Sequence, residues 1–137
     1  MLHVAAKTRY KNMTNEKNPL MMPYGTPHDT APFGKISIAD FEEAMLEGIR
    51  RDNEQIERIC SDEAEPTFDN TIVRVDDDTD HYYDLLERAT TIFFNLLSAE
   101  TNDEMEALAE KMSPVLTKHS NDVRLNATLF RRIKHVY

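Results

Sequence analysis

Residues 76–87 read DDDTDHYYDLLE, and the fold turns on whether they form a loop or a helix. Asp76, Asp78 and Asp80 occupy positions 1, 3 and 5 of a twelve-residue window, and Glu87 occupies position 12. That is the ligand spacing of an EF-hand calcium loop, where alternate oxygens and a final bidentate Glu surround the ion. The window nevertheless reads as helix. Position 6, normally the Gly of a sharp turn, is His81, whose β-carbon resists positive φ. Position 8, normally aliphatic, is Tyr83, and the chain has no second loop to pair with. Most telling is a stripe of Phe68, Ile72, Val75, Thr79, Tyr82, Leu86, Ala89, Phe93 and Leu96, which crosses the window in steps of four and three without a change of phase. On a helix Asp76, Asp80 and Asp84 share one side while Asp78 points elsewhere, so the carboxylates cannot wrap one ion. A calcium sensor is therefore set aside in favour of a solvated acidic face on a long helix capped by Thr67. Towards its end IFFNLL, residues 92–97, is apolar almost all round and is expected to be the most buried part.

Helical patterning continues on both sides. Ser37 with Asp40 suggests a capping box, and Ile38, Phe41, Met45, Ile49, Ile56 and Ile59 recur at helical spacing, with Gly48 a weak point and an end near Ser61. A third helix is expected from Thr101, with Glu104 completing its capping box and Met105, Leu108 and Met112 as its stripe. Pro114 either kinks that helix or opens a new one capped by Ser113. A last short helix follows Asn126, with Leu129, Phe130, Ile133 and Val136 apolar. Upstream, residues 18–36 hold four prolines and two glycines among Leu20, Met21, Met22, Tyr24 and Phe33. Proline disfavours helix there, so residues 1–36 read as an extended arm lying on an apolar surface, one that need not belong to this chain. The expected architecture is all-α: an antiparallel helical bundle over residues 37–137 with that arm in front of it.

The chain has 137 residues, 16 Lys and Arg against 25 Asp and Glu, and a net charge of −9. A surface of that sign repels phosphate backbones, which argues against a nucleic-acid partner. No apolar run is long enough to span a membrane. Cys60 is the only cysteine, so no internal disulfide forms, in keeping with a reducing compartment. Asp62 and Glu63 beside it disfavour a reactive thiolate, and Cys60 reads as a small packing residue.

Candidate chemistry is sparse. Asp77, His81 and Asp84 could meet on one helical face, but a closed zinc site needs four ligands, and a surface His among carboxylates is the simpler reading. His3, His28, His119 and His135 are scattered, and His119 sits on the apolar face of its helix as a core residue would. Carboxylate pairs such as Glu42 with Glu43, or Asp62 with Glu63, carry no acid–base assignment without a pocket. No His-Glu-x-x-His, Gly-x-Ser-x-Gly, Walker loop, Gly-x-Gly-x-x-Gly or Cys-x-x-Cys occurs.

The order of segments carries a resemblance. NPLMMPYGTPHDTAPFGKI, DFEEAMLEGIRRDNEQIERI, PTFDNTIV, FFNLLSAETNDEMEAL and LNATLFRRIKHVY, from Asn18 to Tyr137, together resemble the N-terminal region of bacterial peptidyl-dipeptidases. These belong to the thimet-oligopeptidase-like zinc metallopeptidases, with oligopeptidase A as a relative. The most specific pieces are TFDNTIV and SAETNDE. The resemblance implies a longer, almost wholly helical enzyme with a deep channel. Its zinc would sit on a helix bearing His-Glu-x-x-His plus a distant Glu, the motif Glu activating water. Such enzymes release dipeptides from the C-termini of oligopeptides, and their N-terminal helices form part of the channel wall. None of the family's catalytic or zinc-binding residues maps onto a position here, so the expected catalytic, cofactor and metal residues are none. Zinc belongs to the parent enzyme. The abrupt apolar end at Tyr137 is expected to be a boundary within a longer protein. The partners implied are the catalytic remainder of the same chain, on which the arm would pack, and, for the parent, an oligopeptide substrate. A cytoplasmic location is expected, with the periplasm as the parent's alternative. The competing reading is a stand-alone helical protein-interaction module, self-associating through its apolar arm.

Overall fold

Ser37 opens helix α1 (Ile38–Cys60) with the expected capping box in full. Its hydroxyl accepts from the Asp40 amide, and the Asp40 carboxylate accepts from the Ser37 amide at 2.7 Å. The helix buries Phe41, Ala44, Met45, Gly48 and Ile59, and Ser61 closes it. This computed structural model describes residues 18–76 and 85–137.

The next segment departs from expectation in its first turns. Thr67 caps it as predicted, accepting from the Asn70 amide at 3.1 Å while Asn70 Oδ1 accepts from the Thr67 amide at 2.8 Å. Yet Phe68–Val73 is π-helical, followed by one α-helical turn, Arg74–Asp76. A π-turn holds more residues than an α-turn, so it shifts every side chain in it relative to a 3.6-residue stripe. Phe68 is 60% exposed and Val75 43%, whereas Thr71 is fully buried. The unbroken stripe is therefore corrected at this end. Its middle, Thr79 and Tyr82, lies outside the described residues, as do Asp77, Asp78, Asp80, His81, Tyr83 and Asp84. The calcium window and the Asp77–His81–Asp84 cluster fall with them. Beyond, helix α2 (Leu85–Ala99) buries Leu85, Ala89 and Phe93. Burial is not concentrated at residues 92–97: Phe93 is enclosed, but Ile92, Phe94, Leu96 and Leu97 are only half-buried.

Helix α3 (Asp103–Arg124) starts one residue later than the Thr101 box implies. The Asn102 side chain caps it, accepting from the Met105 amide at 2.9 Å, and the Thr101 hydroxyl instead donates back to the Leu97 carbonyl at 2.5 Å. The helix runs through Pro114 without ending. Ser113, the alternative cap, donates to the Ala109 carbonyl at 2.6 Å. Helix α4 (Ala127–Val136) is capped by Asn126, whose Oδ1 accepts from the Thr128 and Leu129 amides at 3.1 and 2.9 Å.

Every described element is helical, and α1 is the hub: α2, α3, α4 and the start of the arm all pack on it. Phe41 stacks on Phe93, and Gly48 lies against Leu86, so α1 and α2 run antiparallel. Glu42 meets Lys111 and Asp52 meets His119, so α3 runs parallel to α1, as two reversals require. The core joins Leu20, Met21, Phe41, Ala44, Met45, Leu85, Ala89, Phe93, Met105, Leu108 and Met112.

The arm from Asn18 is a series of short 3₁₀ turns: Pro19–Met21, Pro27–Asp29 and Phe33–Lys35. Its apolar start packs on this chain's own helices. Leu20 and Met21 are buried in the core, which corrects the expectation that the receiving surface lies elsewhere. Asn18, itself fully buried, donates through Nδ2 to the Asp40 carbonyl at 2.9 Å and to Glu43 Oε2 at 3.0 Å. Its Oδ1 accepts from the Leu20 amide at 3.0 Å. Arg88 donates to the Leu20 carbonyl and lies 5.0 Å over the Tyr24 ring. Asn18→Ala is expected to cost about 2 kcal/mol, because it strands the Leu20 amide and frees the arm; urea denaturation measures it.

The exposed face of α1 is laced by charge. Glu47 receives Arg50 at 2.7 and 2.8 Å and Arg51 at 2.9 Å. The Arg50 hydrogen bonds hold its carboxyl below the usual value near 4.5; partial burial opposes this and Arg51 adds to it. A depressed carboxylate contributes stability above its ordinary value and loses it as pH falls through the lowered one. Because Glu47 is only half-buried and its main partner Arg50 is exposed, Glu47→Gln should remove no more than about 1 kcal/mol at neutral pH. The difference from the parent chain should shrink as pH falls below the ordinary carboxylate range and through the lowered value, read by urea titration at several pH values.

Candidate functional site

A long-range polar cluster forms where the end of α1, the π-helical segment and α4 meet. Arg132 lies on the inward side of α4, one turn from Leu129, and is almost fully buried. Its Nη1 donates to the Asp62 and Ala64 carbonyls at 2.7 and 3.4 Å, and its Nη2 to Asn70 Oδ1 at 3.4 Å. Asn70 also donates to the Glu65 carbonyl at 2.9 Å. Together they tie the 61–67 connection and the π-helical segment to α4. Arg74 pairs with Asp62 at 3.4 Å, and His135 Nε2 lies 3.2 Å from Glu65 Oε1.

Two open cavities adjoin here at Cys60. One, about 260 Å³, lies between Pro66 and the α4 residues Thr128, Arg131, Arg132 and His135. The other, about 280 Å³, lies beside Asn53, Ile56, Glu57, Asp122, Val123 and Asn126. The first is basic and the second acidic. The Cys60 thiol donates to Asn126 Oδ1 at 3.8 Å between them.

The residues singled out from sequence are spread across the molecule. His119 is buried, with Nε2 3.1 Å from Asp52 Oδ2, and its Nδ1 meets no partner among the described residues. His28 is in the left-handed region at φ 59° on the exposed arm, and His3 lies outside the described residues. Glu42 pairs with Lys111, Glu43 meets Asn18, and Glu63 is exposed. No acid–base pair is assembled among them. Arg132, Asn70 and Arg131 were not singled out. The available signal was Arg132 falling one turn from Leu129 on the apolar stripe of α4, a place where an Arg must find partners.

Among the described residues, no three His, Cys, Asp or Glu side chains gather into a group that could hold a metal ion.

No protein-family model matches the chain. Two curated proteins do. A dipeptidyl carboxypeptidase of Salmonella typhimurium is 35% identical over 120 residues, 88% of this chain and 17% of that protein. A dipeptidyl carboxypeptidase of Escherichia coli is 34% identical over 116 residues, 85% of this chain and 16% of that protein. The chain is similar to the N-terminal region of dipeptidyl carboxypeptidases. It therefore spans about one-sixth of the length of the dipeptidyl carboxypeptidases it matches. The similarity to dipeptidyl carboxypeptidases covers most of the bundle and agrees with the segments from Asn18 onward that suggested peptidyl-dipeptidases. Among the described residues, no helix is long and apolar enough to cross a membrane.

Proposed function

We propose that this chain is the N-terminal helical, channel-wall domain of a zinc-dependent peptidyl-dipeptidase that releases dipeptides from the C-termini of oligopeptides. On this reading the chain alone is inactive, and its partner is the catalytic remainder of the parent, which carries the zinc. The supporting observation is the mismatch in coverage: 88% of this chain aligns, against 17% of the Salmonella protein. The test has two arms. The purified chain with added zinc should release no dipeptide from an oligopeptide above buffer; sustained zinc-dependent release would overturn the inactivity. Removing the matching segment from the Salmonella relative should let larger, folded substrates be cut, and unchanged size selectivity would remove the wall role. A cytoplasmic location belongs to the same proposal and rests on the single cysteine.

The stand-alone interaction module is favoured by one observation. Leu125, Phe130 and Phe68 are 82%, 62% and 60% exposed, large apolar side chains that a partner would cover. Sedimentation of the chain separates the readings: a concentration-dependent dimer favours the module, and a strict monomer counts against it.

A further inference from the structure

We propose that the outward side of α4, with Leu125 at its foot, is a docking surface for an acidic amphipathic helix supplied by the catalytic remainder of a longer chain. The source of that helix rests on the peptidyl-dipeptidase reading; the chemistry of the surface does not. Helix α4 is apolar on two sides. Leu129 and Arg132 are buried, and Ile133 and Val136 half-buried, against this chain. Phe130 and Tyr137 face the other way, 62% and 94% exposed. With Lys134 between them they follow at steps of four and three, along one line of the helix. Leu125, also exposed, stands two residues ahead of the helix. A helix apolar on both sides belongs between two layers, and the described residues supply one of them.

Charge indicates what the second layer carries. Residues 123–137 hold Arg124, Arg131, Arg132 and Lys134 and no carboxylate, in a chain with 25 Asp and Glu. Arg132 turns inward to backbone carbonyls and Asn70, and His135 meets Glu65. Arg124, Arg131 and Lys134 are exposed and meet no carboxylate among the described residues; Arg131 donates to the Ala127 carbonyl and Thr128 Oγ1. Apolar side chains flanked by unpaired cations fit a surface of the opposite sign. A second copy fits badly, because α4 laid against α4 would bring these cations together. Only 17% of the Salmonella protein aligns with this chain, so most of its length remains to supply the acidic helix.

The experiment follows the backbone amides of the isotope-labelled full chain by NMR as a probe is added. The probe is an end-blocked peptide of about five helical turns, with Leu along one side and Glu on its flanks. It should shift the amides of Arg124 to Tyr137, saturate with a Kd of about 100 μM at low salt, and weaken about tenfold at roughly 0.5 M salt. The same peptide with Lys in place of Glu should bind about tenfold more weakly or worse. Phe130→Ser and Lys134→Glu should each cost about tenfold in affinity with helicity unchanged, since both side chains are exposed. Equal binding of the two peptides, or none at about 1 mM, would overturn the proposal. So would tighter attachment to phosphatidylserine vesicles, or a dimer of this chain closed through α4. The source is tested in the full-length Salmonella protein, with a photo-crosslinking residue at the position matching Phe130. A crosslink within one molecule to an acidic helix outside the aligned segment is expected. Crosslinks only between molecules, or none to protein, would remove the catalytic remainder as the source. Neither readout uses dipeptide release, so the docking surface can fail while the hydrolytic reading stands, and the reverse.

Discussion

Phe93→Ala is expected to lower the stability of this chain by about 3–5 kcal/mol. The ring is wholly enclosed. It sits 5.4 Å from Phe41 at a 58° tilt and 5.1 Å from Phe94 nearly edge-on. Truncation removes the transfer energy of the ring and leaves a cavity between α1 and α2, and it also breaks tilted aromatic contacts worth about 0.5–1.5 kcal/mol. For a domain whose total stability is about 5–15 kcal/mol, that is a large share. Phe93→Leu refills most of the space and should cost less than half as much. Urea denaturation with a fixed slope gives both numbers. A Phe93→Ala loss below about 1 kcal/mol would mean that the core closes over the gap, against the rigid packing described here.

Gly48→Val should be comparably damaging, at about 3 kcal/mol or more. A β-carbon at Gly48 would stand 2.8 Å from the N, Cα and Cβ of Leu86. The obstacle is mostly backbone, so only a separation of α1 from α2 can relieve it. Gly48→Ala is the sharper test of sign. In an isolated helix Ala gains about 1 kcal/mol over Gly, but here the crossing should reverse that gain. Leu86→Ala should fail to rescue Gly48→Ala, since it leaves the offending backbone in place. A stabilised Gly48→Ala protein would show that the two helices are free to part.

Gly48 also marks where sequence reading runs short. Composition and spacing expose it as a weak helix former, because propensity is local; its use as a helix crossing depends on Leu86, which only the fold supplies. The capping box at Ser37 and the cap at Thr67 were legible, since each is decided within four residues. Thr101 misled for the same local reason: Asn102 offers an equally good acceptor one residue on, and nothing nearby ranks them. The π-helical turn at Phe68–Val73 was invisible to a 3.6-residue template, which is why Phe68 and Val75 were placed inward. The arm was read as apolar but not as part of the core, because Asn18 and Pro19 look like loop residues until Asp40 and Glu43 face them. Of the residues lining the two cavities, Cys60 and His135 were noticed singly. Their assembly with Arg131, Glu57 and Asn126 requires three helix ends to converge.

The convergence at the end of α1 has a bearing on how the chain is made. Cys60 reaches Asn126 across 66 positions, Asp52 reaches His119 across 67, and Asp62 and Glu65 reach Arg132 and His135 across 70. During vectorial synthesis, the second half of α1 must therefore emerge long before these partners exist. At about 5–20 residues per second, that wait lasts roughly 3–14 s. For those seconds Asp52 and Cys60 stand without His119 and Asn126. The first half of α1 has a shorter wait, because the arm precedes it and α2 follows within about fifty residues of Phe41.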